Sequence, residues 1–593
     1  MLRNFLKRKR RYEDIEPDEI LIDAANLPAF DTSQLEGRIE RPVGNGVFRG
    51  FLAASGLVAL IFAGSLANLD VLNYQKLSAR AEANRLDSSL IMADRGLILD
   101  RNGAVLAGNA TYASSTPALA EATTTATSAA ATAEASVPRR VYPLGPAAAV
   151  LLGYVSYPKA DNNGNFYQTD IQGVAGIESA YNDLLSGKNG SSLAETTASG
   201  KLVSGSIVRD PENGSDLKLS IDSGLQKELY DEIAARSEDS GWQGGAGAIM
   251  DVHTGEILAI ASYPSYDPEV MSSGDPKEQV ASYLTSSRSP FLDRAVSGLY
   301  TPGSVVKPFM AAAALQEHVI SPDKQILSTG AISVPNPYDP AHPSVFHDWR
   351  ANGWVDVRHA IAVSSDVYFY EVGGGFEDQP GLGIARIEKY MRLFGFGADT
   401  GIALPGEKAG TIPDPQWKAE NFDGEPWYLG DTYHTSIGQY GFQVTVMQLL
   451  RGVSSLANGG TLVTPVLLAG DQGVTSEVPV SASNLEIARE GMRLCVTEGI
   501  CQALSLPSLH VAAKTGTAQV GTQNQFTNSL VEGFFPYEDP RYAFVVVMEQ
   551  ANAGTLQGAP AVMGNVLRWI SANRSDMGES AAGTSTASAP AGG

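Results

Sequence analysis

An α+β fold, one antiparallel sheet flanked by helices on a smaller N-terminal pedestal behind a single transmembrane helix, is predicted by three features. Strand-like segments open the region 216–573, at 217–222, 247–251 and 257–261, and another closes it at 542–548, with helical patterns between them. Residues 50–69 carry no charge and match the length of a bilayer-crossing helix. Biased, low-aromatic stretches at about 113–137 and 574–593 read as disordered and set the ordered regions apart.

In chain order, residues 1–49 form a polar tail in which Arg3 and Lys7 to Arg11 are followed by an acidic run, the pattern of a solvated segment. Residues 50–70 are assigned as the transmembrane helix. The alternative is a cleaved signal peptide, because Ser65-Leu66-Ala67 resembles a cleavage site, but some fifty mostly polar residues ahead are far too many for its n-region. Arg38, Arg41 and Arg49 balance Lys76, Arg80 and Arg85, and the distal basic cluster tips the N-terminus to the cytoplasm. Everything after Asp70 is then extracytoplasmic, in a cytoplasmic-membrane protein. The formal net charge of −23 excludes a nucleic-acid partner, which needs clustered Lys and Arg.

Residues 71–90 lack Gly and Pro and are expected to continue the helix, opening a juxtamembrane and pedestal region at 71–215. Asn102-Gly103 between two apolar runs predicts a hairpin. Beyond the insertion, a helix ending near Leu152 and an amphipathic stretch at 181–185 follow. Region 216–573 is expected to run strand, helix through Ala235, two short strands, several helices, the strand at 542–548 and a helix at 561–572. The cysteines Cys495 and Cys501 either close a small loop or stay reduced and buried.

The chemistry concentrates at Ser304-Val305-Val306-Lys307, which follows the turn pair Pro302-Gly303 and runs into an alanine-rich apolar stretch. In a helix starting near Ser304, residues three apart share a face, so the Lys307 amine reaches the Ser304 hydroxyl and can take its proton. Three other Ser-x-x-Lys copies, at Ser156, Ser215 and Ser321, lie in loops or run into a strand. Downstream, Ser364-Ser365-Asp366 supplies a second hydroxyl. Lys514-Thr515-Gly516-Thr517 extends an apparent strand, placing a cation and two hydroxyls on the rim of a groove. Asp339, His342, His347 and Asp348 are near in sequence, but without a His-x-x-x-His helix no metal is expected, and no cofactor.

These three motifs in this order resemble the penicillin-binding proteins, in particular the class B high-molecular-weight transpeptidases of the elongation type. Arg95-Gly96, Gly176-Ile177-Glu178, Gly430-Asp431-Thr432, Ile437-Gly438-Gln439 and Ala457-Asn458-Gly459-Gly460 are similar to other landmarks of that family. The resemblance implies the penicillin-binding/serine β-lactamase-like transpeptidase fold and peptidoglycan D,D-transpeptidase activity on stem peptides ending in D-Ala-D-Ala. Ser304 would be the nucleophile, Lys307 its base and Ser364 a proton relay. Asp366, Lys514, Thr515, Gly516 and Thr517 would line the substrate site, with the Ser304 and Thr517 N–H groups as oxyanion hole. β-Lactams would be trapped on Ser304, and a SEDS-family glycosyltransferase would be the membrane partner.

Some relatives bind zinc through a cysteine between the second motif's serine and aspartate, where this chain has Ser365. Tyr440 interrupts the usual Gly-Gln-Gly, and Ala513 stands where a glycine often precedes the third motif. A division-type transpeptidase, a β-lactam hydrolase and a non-catalytic scaffold for the polymerase are the alternatives.

Overall fold

The computed structural model describes residues 45–68, 75, 86–110, 138–161, 166–196, 202–336, 339, 341–521 and 523–578. The expected tail before residue 45, the insertion at 113–137 and the segment after 578 lie outside the described residues. Asn45–Ala67 is one helix of 23 residues, roughly 35 Å at the α-helical rise, and is long and apolar enough to cross a membrane.

The helix expected over 71–90 is corrected at its C-terminal end. Leu86–Ile91 is a strand in a three-stranded sheet with Gly190–Thr196 and Leu202–Arg209, so its partners lie a hundred residues downstream, beyond the reach of a local pattern. In the pedestal, Ile98–Leu99 and Val105–Asn109 form the expected hairpin. The Asp100 carboxylate accepts from the N–H groups of Asn102 and Ala104, which shapes the turn, while Gly103 has φ of 89°. Val105–Asn109 also pairs with Arg140–Val141, Asn109 standing opposite Arg140. Beneath this sheet Glu178 accepts from Arg95 at 2.6 Å and Arg140 at 2.7 Å, all three side chains being buried. Its two oxygens are thus shared between two guanidinium groups, the paired state that a buried charge requires.

The larger sheet has five strands: β1 (Gly244–Asp251), β2 (Ile257–Tyr263), β3 (Ala512–Val520), β4 (Phe526–Phe535) and β5 (Tyr542–Asn552). Its order is β2-β1-β5-β4-β3, antiparallel throughout, with β3 at one edge. Side chains alternate between two faces, as strand geometry demands. Ala246, Ala248, Leu530, Val545 and Val547 enter one core, and Ile249, Val531, Phe544, Val546 and Met548 the other. The second face is covered by α1 (Ser223–Ser240) and the closing helix Ala559–Asn573.

The first face carries α2 (Lys307–Gln316), α3 (Val357–Val363), α4 (Asp366–Gly374) and α5 (Val446–Ala457). The alanines of α2 are fully buried and let neighbouring helices approach closely. Phe309 stands edge-on to Phe394 and Phe396, with centroids 5.0 and 5.1 Å away. Burying such a ring contributes about 2–3 kcal/mol and fixes the helix that begins at Lys307. Cys495 and Cys501 are joined by a disulfide inside the second core, which settles the two readings in favour of the small closed loop.

Candidate active site

Ser304 lies in a 3-10 turn, Gly303–Val306, that runs directly into α2. Pro308 falls in the first turn of that helix, where its missing N–H is harmless. Gly303 has φ of 57° and donates its N–H to the Gly438 carbonyl at 2.9 Å. A Cβ on Gly303 would stand 3.0 Å from the Thr517 carbonyl oxygen, and one on Gly516 would stand 2.8 Å from the Pro302 oxygen. Glycine at both positions lets the edge strand β3 lie directly against the Ser304 turn.

Ser364 separates α3 from α4 and is itself left-handed, with φ 60° and ψ 43°. That conformation is uncommon for a serine and must be held by its surroundings. Asp348 does the holding. One of its oxygens accepts from Ser365 Oγ at 2.7 Å, Ser328 Oγ at 3.0 Å, the Val367 N–H at 3.1 Å and Asn352 Nδ2 at 3.2 Å. The other accepts from the Trp349 N–H at 2.8 Å. Sequence reasoning named Asp348 as a metal candidate, and nothing local signals its role, because its donors are spread from Ser328 to Val367. Asp348→Ala is expected to leave those donors unsatisfied, costing about 3 kcal/mol. The resulting loss of stability should appear as a lower melting temperature, together with a penicillin acylation rate reduced by roughly 10-fold to 100-fold. Unchanged values of both would show that the turn holds itself.

The two lysines meet at the second hydroxyl. Lys307 Nζ donates to the Ser364 carbonyl at 2.8 Å, Ser364 Oγ at 3.2 Å and Asp366 Oδ1 at 2.7 Å. Lys514 Nζ donates to Ser364 Oγ at 2.9 Å and to the Thr515 carbonyl at 2.8 Å. With both lone pairs of Ser364 Oγ occupied by lysine donors, its own proton is free to be given away. The three protons of a Lys307 ammonium are all committed, so it must give one up before it can accept from Ser304.

Two sequence expectations differ from this arrangement. Lys514 is fully buried rather than on a rim, because it points inward from β3 to Ser364, whereas Thr517 is exposed and Thr515 half-buried. Lys307 bonds Ser364 and Asp366, not Ser304, because the Ser364 carbonyl and hydroxyl and the Asp366 carboxylate together take all three of its donor positions. Burial, assisted by the charge of Lys307, pushes the Lys514 amine well below the usual lysine value, with Asp366 and Glu532 opposing. Of the other metal candidates, His342 pairs with Asp339. Among the described residues no cluster of three His, Cys, Asp or Glu is placed to hold a metal.

A family model described as the penicillin-binding protein transpeptidase domain matches residues 245–568, and one for the penicillin-binding protein dimerisation domain matches 132–219. The chain is 28% identical over 594 residues to the peptidoglycan D,D-transpeptidase MrdA of Acinetobacter baumannii, covering 86% of each. It is similar to the structure of the penicillin-binding protein PBP2 of Helicobacter pylori in complex with MreC, with a TM-score of 0.65 and 26% identity. That match covers 82% of this chain and 99% of the other. A solved peptidoglycan synthase complex that coordinates polymerization and crosslinking matches with a TM-score of 0.66 and 27% identity, covering 89% of this chain and 98% of its own. The sheet edge laid against a Ser-x-x-Lys turn and the match over more than half of its length agree: the chain belongs to the penicillin-binding protein transpeptidase family.

Proposed function

We propose that this protein is a peptidoglycan D,D-transpeptidase that cross-links stem peptides through an acyl-enzyme on Ser304. The observation that carries the reading is the convergence of Lys307 and Lys514 on Ser364 Oγ, beside the Ser304 turn and the unpaired edge of β3. A stem peptide would add to that edge as a further strand, its terminal carboxylate held by Lys514, Thr515 and Thr517. Lys307 would take the Ser304 proton as the oxygen attacks the penultimate D-Ala carbonyl. The oxyanion would be met by the N–H groups of Ser304 and Thr517. Ser364 would protonate the leaving D-alanine amine, and an amine of a second stem peptide would then resolve the ester. Asp366 would orient Lys307 at the edge of the substrate site. A β-lactam would acylate the same serine.

The similarity to MrdA and to the MreC-bound structure supports a role in cell elongation. As part of the same proposal, the apolar helix anchors the protein in the cytoplasmic membrane with its N-terminus inside. The anchor and pedestal would then meet a SEDS-family glycosyltransferase. Reaction with a penicillin, followed by intact-mass measurement and peptide mapping, tests the activity. The expected result is a stable adduct of one whole penicillin on the peptide that contains Ser304. Rapid release of hydrolysed penicillin would favour a hydrolase, and no adduct would favour a scaffold.

A further inference from the structure

Ser364 ends α3 and Lys514 lies in β3, 150 residues further on, yet their polar atoms meet at 2.9 Å. Hydrogen-bond geometry tolerates only small displacements, so α3 and β3 must be held in one register. Asp348 holds the corner between α3 and α4, but among the described residues none of its bonds reaches β3.

Both elements are touched by α6 (Ala482–Thr497) and the short loop that follows it. On the α3 side, Glu490 pairs with Arg358, and a Cβ on Gly491 would stand 2.8 Å from Ile361 Cδ1. Gly499 lies against the end of α3, where an added Cβ would stand 2.2 Å from the Ala362 carbonyl oxygen. The Ile500 N–H donates to that same oxygen at 3.2 Å, and Ala362 is two residues before Ser364. On the β3 side, the Arg493 guanidinium donates to the Val511 carbonyl at 2.8 Å. Cys501 Sγ lies 3.5 Å from the carbonyl oxygen of Ala513, the neighbour of Lys514. The disulfide joins Cys501 to Cys495, six residues back in α6, and the Cys501 N–H donates to the Cys495 carbonyl at 2.8 Å. One small closed loop therefore reaches α3 through Gly499 and Ile500 and β3 through Cys501. Covalent closure over so few residues leaves the two contacts little freedom to drift apart.

We propose that Cys495, Gly499 and Cys501 are positioning residues for acylation. Their disulfide-closed loop is a bracket that sets Ser364 against Lys514 and so aims the Ser364 hydroxyl at the nitrogen that leaves the substrate carbonyl. The two sulfurs are fully buried and act through Ala362 and Ala513.

This inference rests on the transpeptidase reading. The test measures acylation of the full chain by benzylpenicillin and by a D-alanyl thioester, whose leaving thiolate needs no proton. It compares wild type with the double variant C495A/C501A and with G499A, and records the melting temperature of each. Both variants are expected to lose about tenfold in the limiting rate with benzylpenicillin, the effect of a displacement near 1 Å at Ser364. The half-saturating penicillin concentration should stay as in wild type, because Lys514, Thr515 and Thr517 remain on β3, and the thioester rate should change by less than about twofold. G499A keeps the disulfide and a backbone outside the left-handed region, so its loss isolates the contact with Ala362 and serves if the double variant does not fold. Wild-type penicillin rates in either variant, whatever their melting temperatures, overturn the bracket. Equal losses on penicillin and thioester overturn it as well, since they mark a general distortion of the site. In both cases normal labelling of the wild type by penicillin leaves the transpeptidase reading intact, whereas an unlabelled wild type sinks that reading itself.

Discussion

Ser304→Ala is expected to leave no covalent penicillin adduct, and Lys307→Ala to slow adduct formation by roughly 10⁴-fold. The serine is half-buried on the 3-10 turn, in front of the edge strand. Its hydroxyl is a weak nucleophile until its proton is removed. The group placed for this is the Lys307 amine, one turn further on and joined to Ser364 and Asp366. Truncating Lys307 removes the proposed base and also leaves the Asp366 carboxylate without its 2.7 Å partner. Because Lys307 is completely buried, the variant should also melt lower, by an amount that calorimetry can measure. Fluorescent penicillin labelling followed in time separates the two residues: silence for Ser304→Ala, slow labelling for Lys307→Ala. Acylation of Lys307→Ala at the wild-type rate would assign the base elsewhere.

Gly438→Ala should cost about 100-fold in acylation rate although the residue carries no functional group. Its φ is 76°, and an added Cβ would stand 2.3 Å from the Gly303 carbonyl oxygen and 2.8 Å from the Gly303 nitrogen. Both atoms are backbone and cannot swing aside, so the turn bearing Ser304 has to shift away from β3. A displacement near 1 Å at the attacking atom is enough for a loss of that size. Gly274 is the comparison: its φ is 71°, and a Cβ there meets nothing within 4 Å. Gly274→Ala should therefore lower stability by about 1 kcal/mol and leave acylation unchanged. Equal labelling rates for the two variants would show that the turn tolerates the shift.

The strand at 542–548 and the three motifs were legible because their signals are local: a continuous apolar run, a turn pair before Ser304, a strand running into Lys514. The strand expected at 217–222 is instead Leu217–Lys218, paired with Ile98–Leu99 in the pedestal sheet. The direction of the Lys514 side chain was not legible, since a lysine in a strand reads as solvent-facing until the hydroxyl that draws it inward is known. That hydroxyl belongs to Ser364, 150 residues away. Asp348 was hidden for a similar reason, as its donors come from Ser328, Asn352, Ser365 and Val367. The state of Cys495 and Cys501 was open because their spacing suits either outcome, and only the bond between the two sulfurs decided it.

The pairing of Asn109 with Arg140 has a bearing on how this chain can be engineered. Ala110 donates its N–H to the Arg139 carbonyl at 2.8 Å, so the ends of the stretch 111–137 are pinned to adjacent rungs of one ladder, backed by the Arg95–Glu178–Arg140 triad. Loop closure changes only slowly with length when the ends are fixed in this way. Excising the stretch in favour of a short glycine linker, or grafting a reporter there, should leave melting and penicillin acylation as they are, which makes this seam a convenient port for labels.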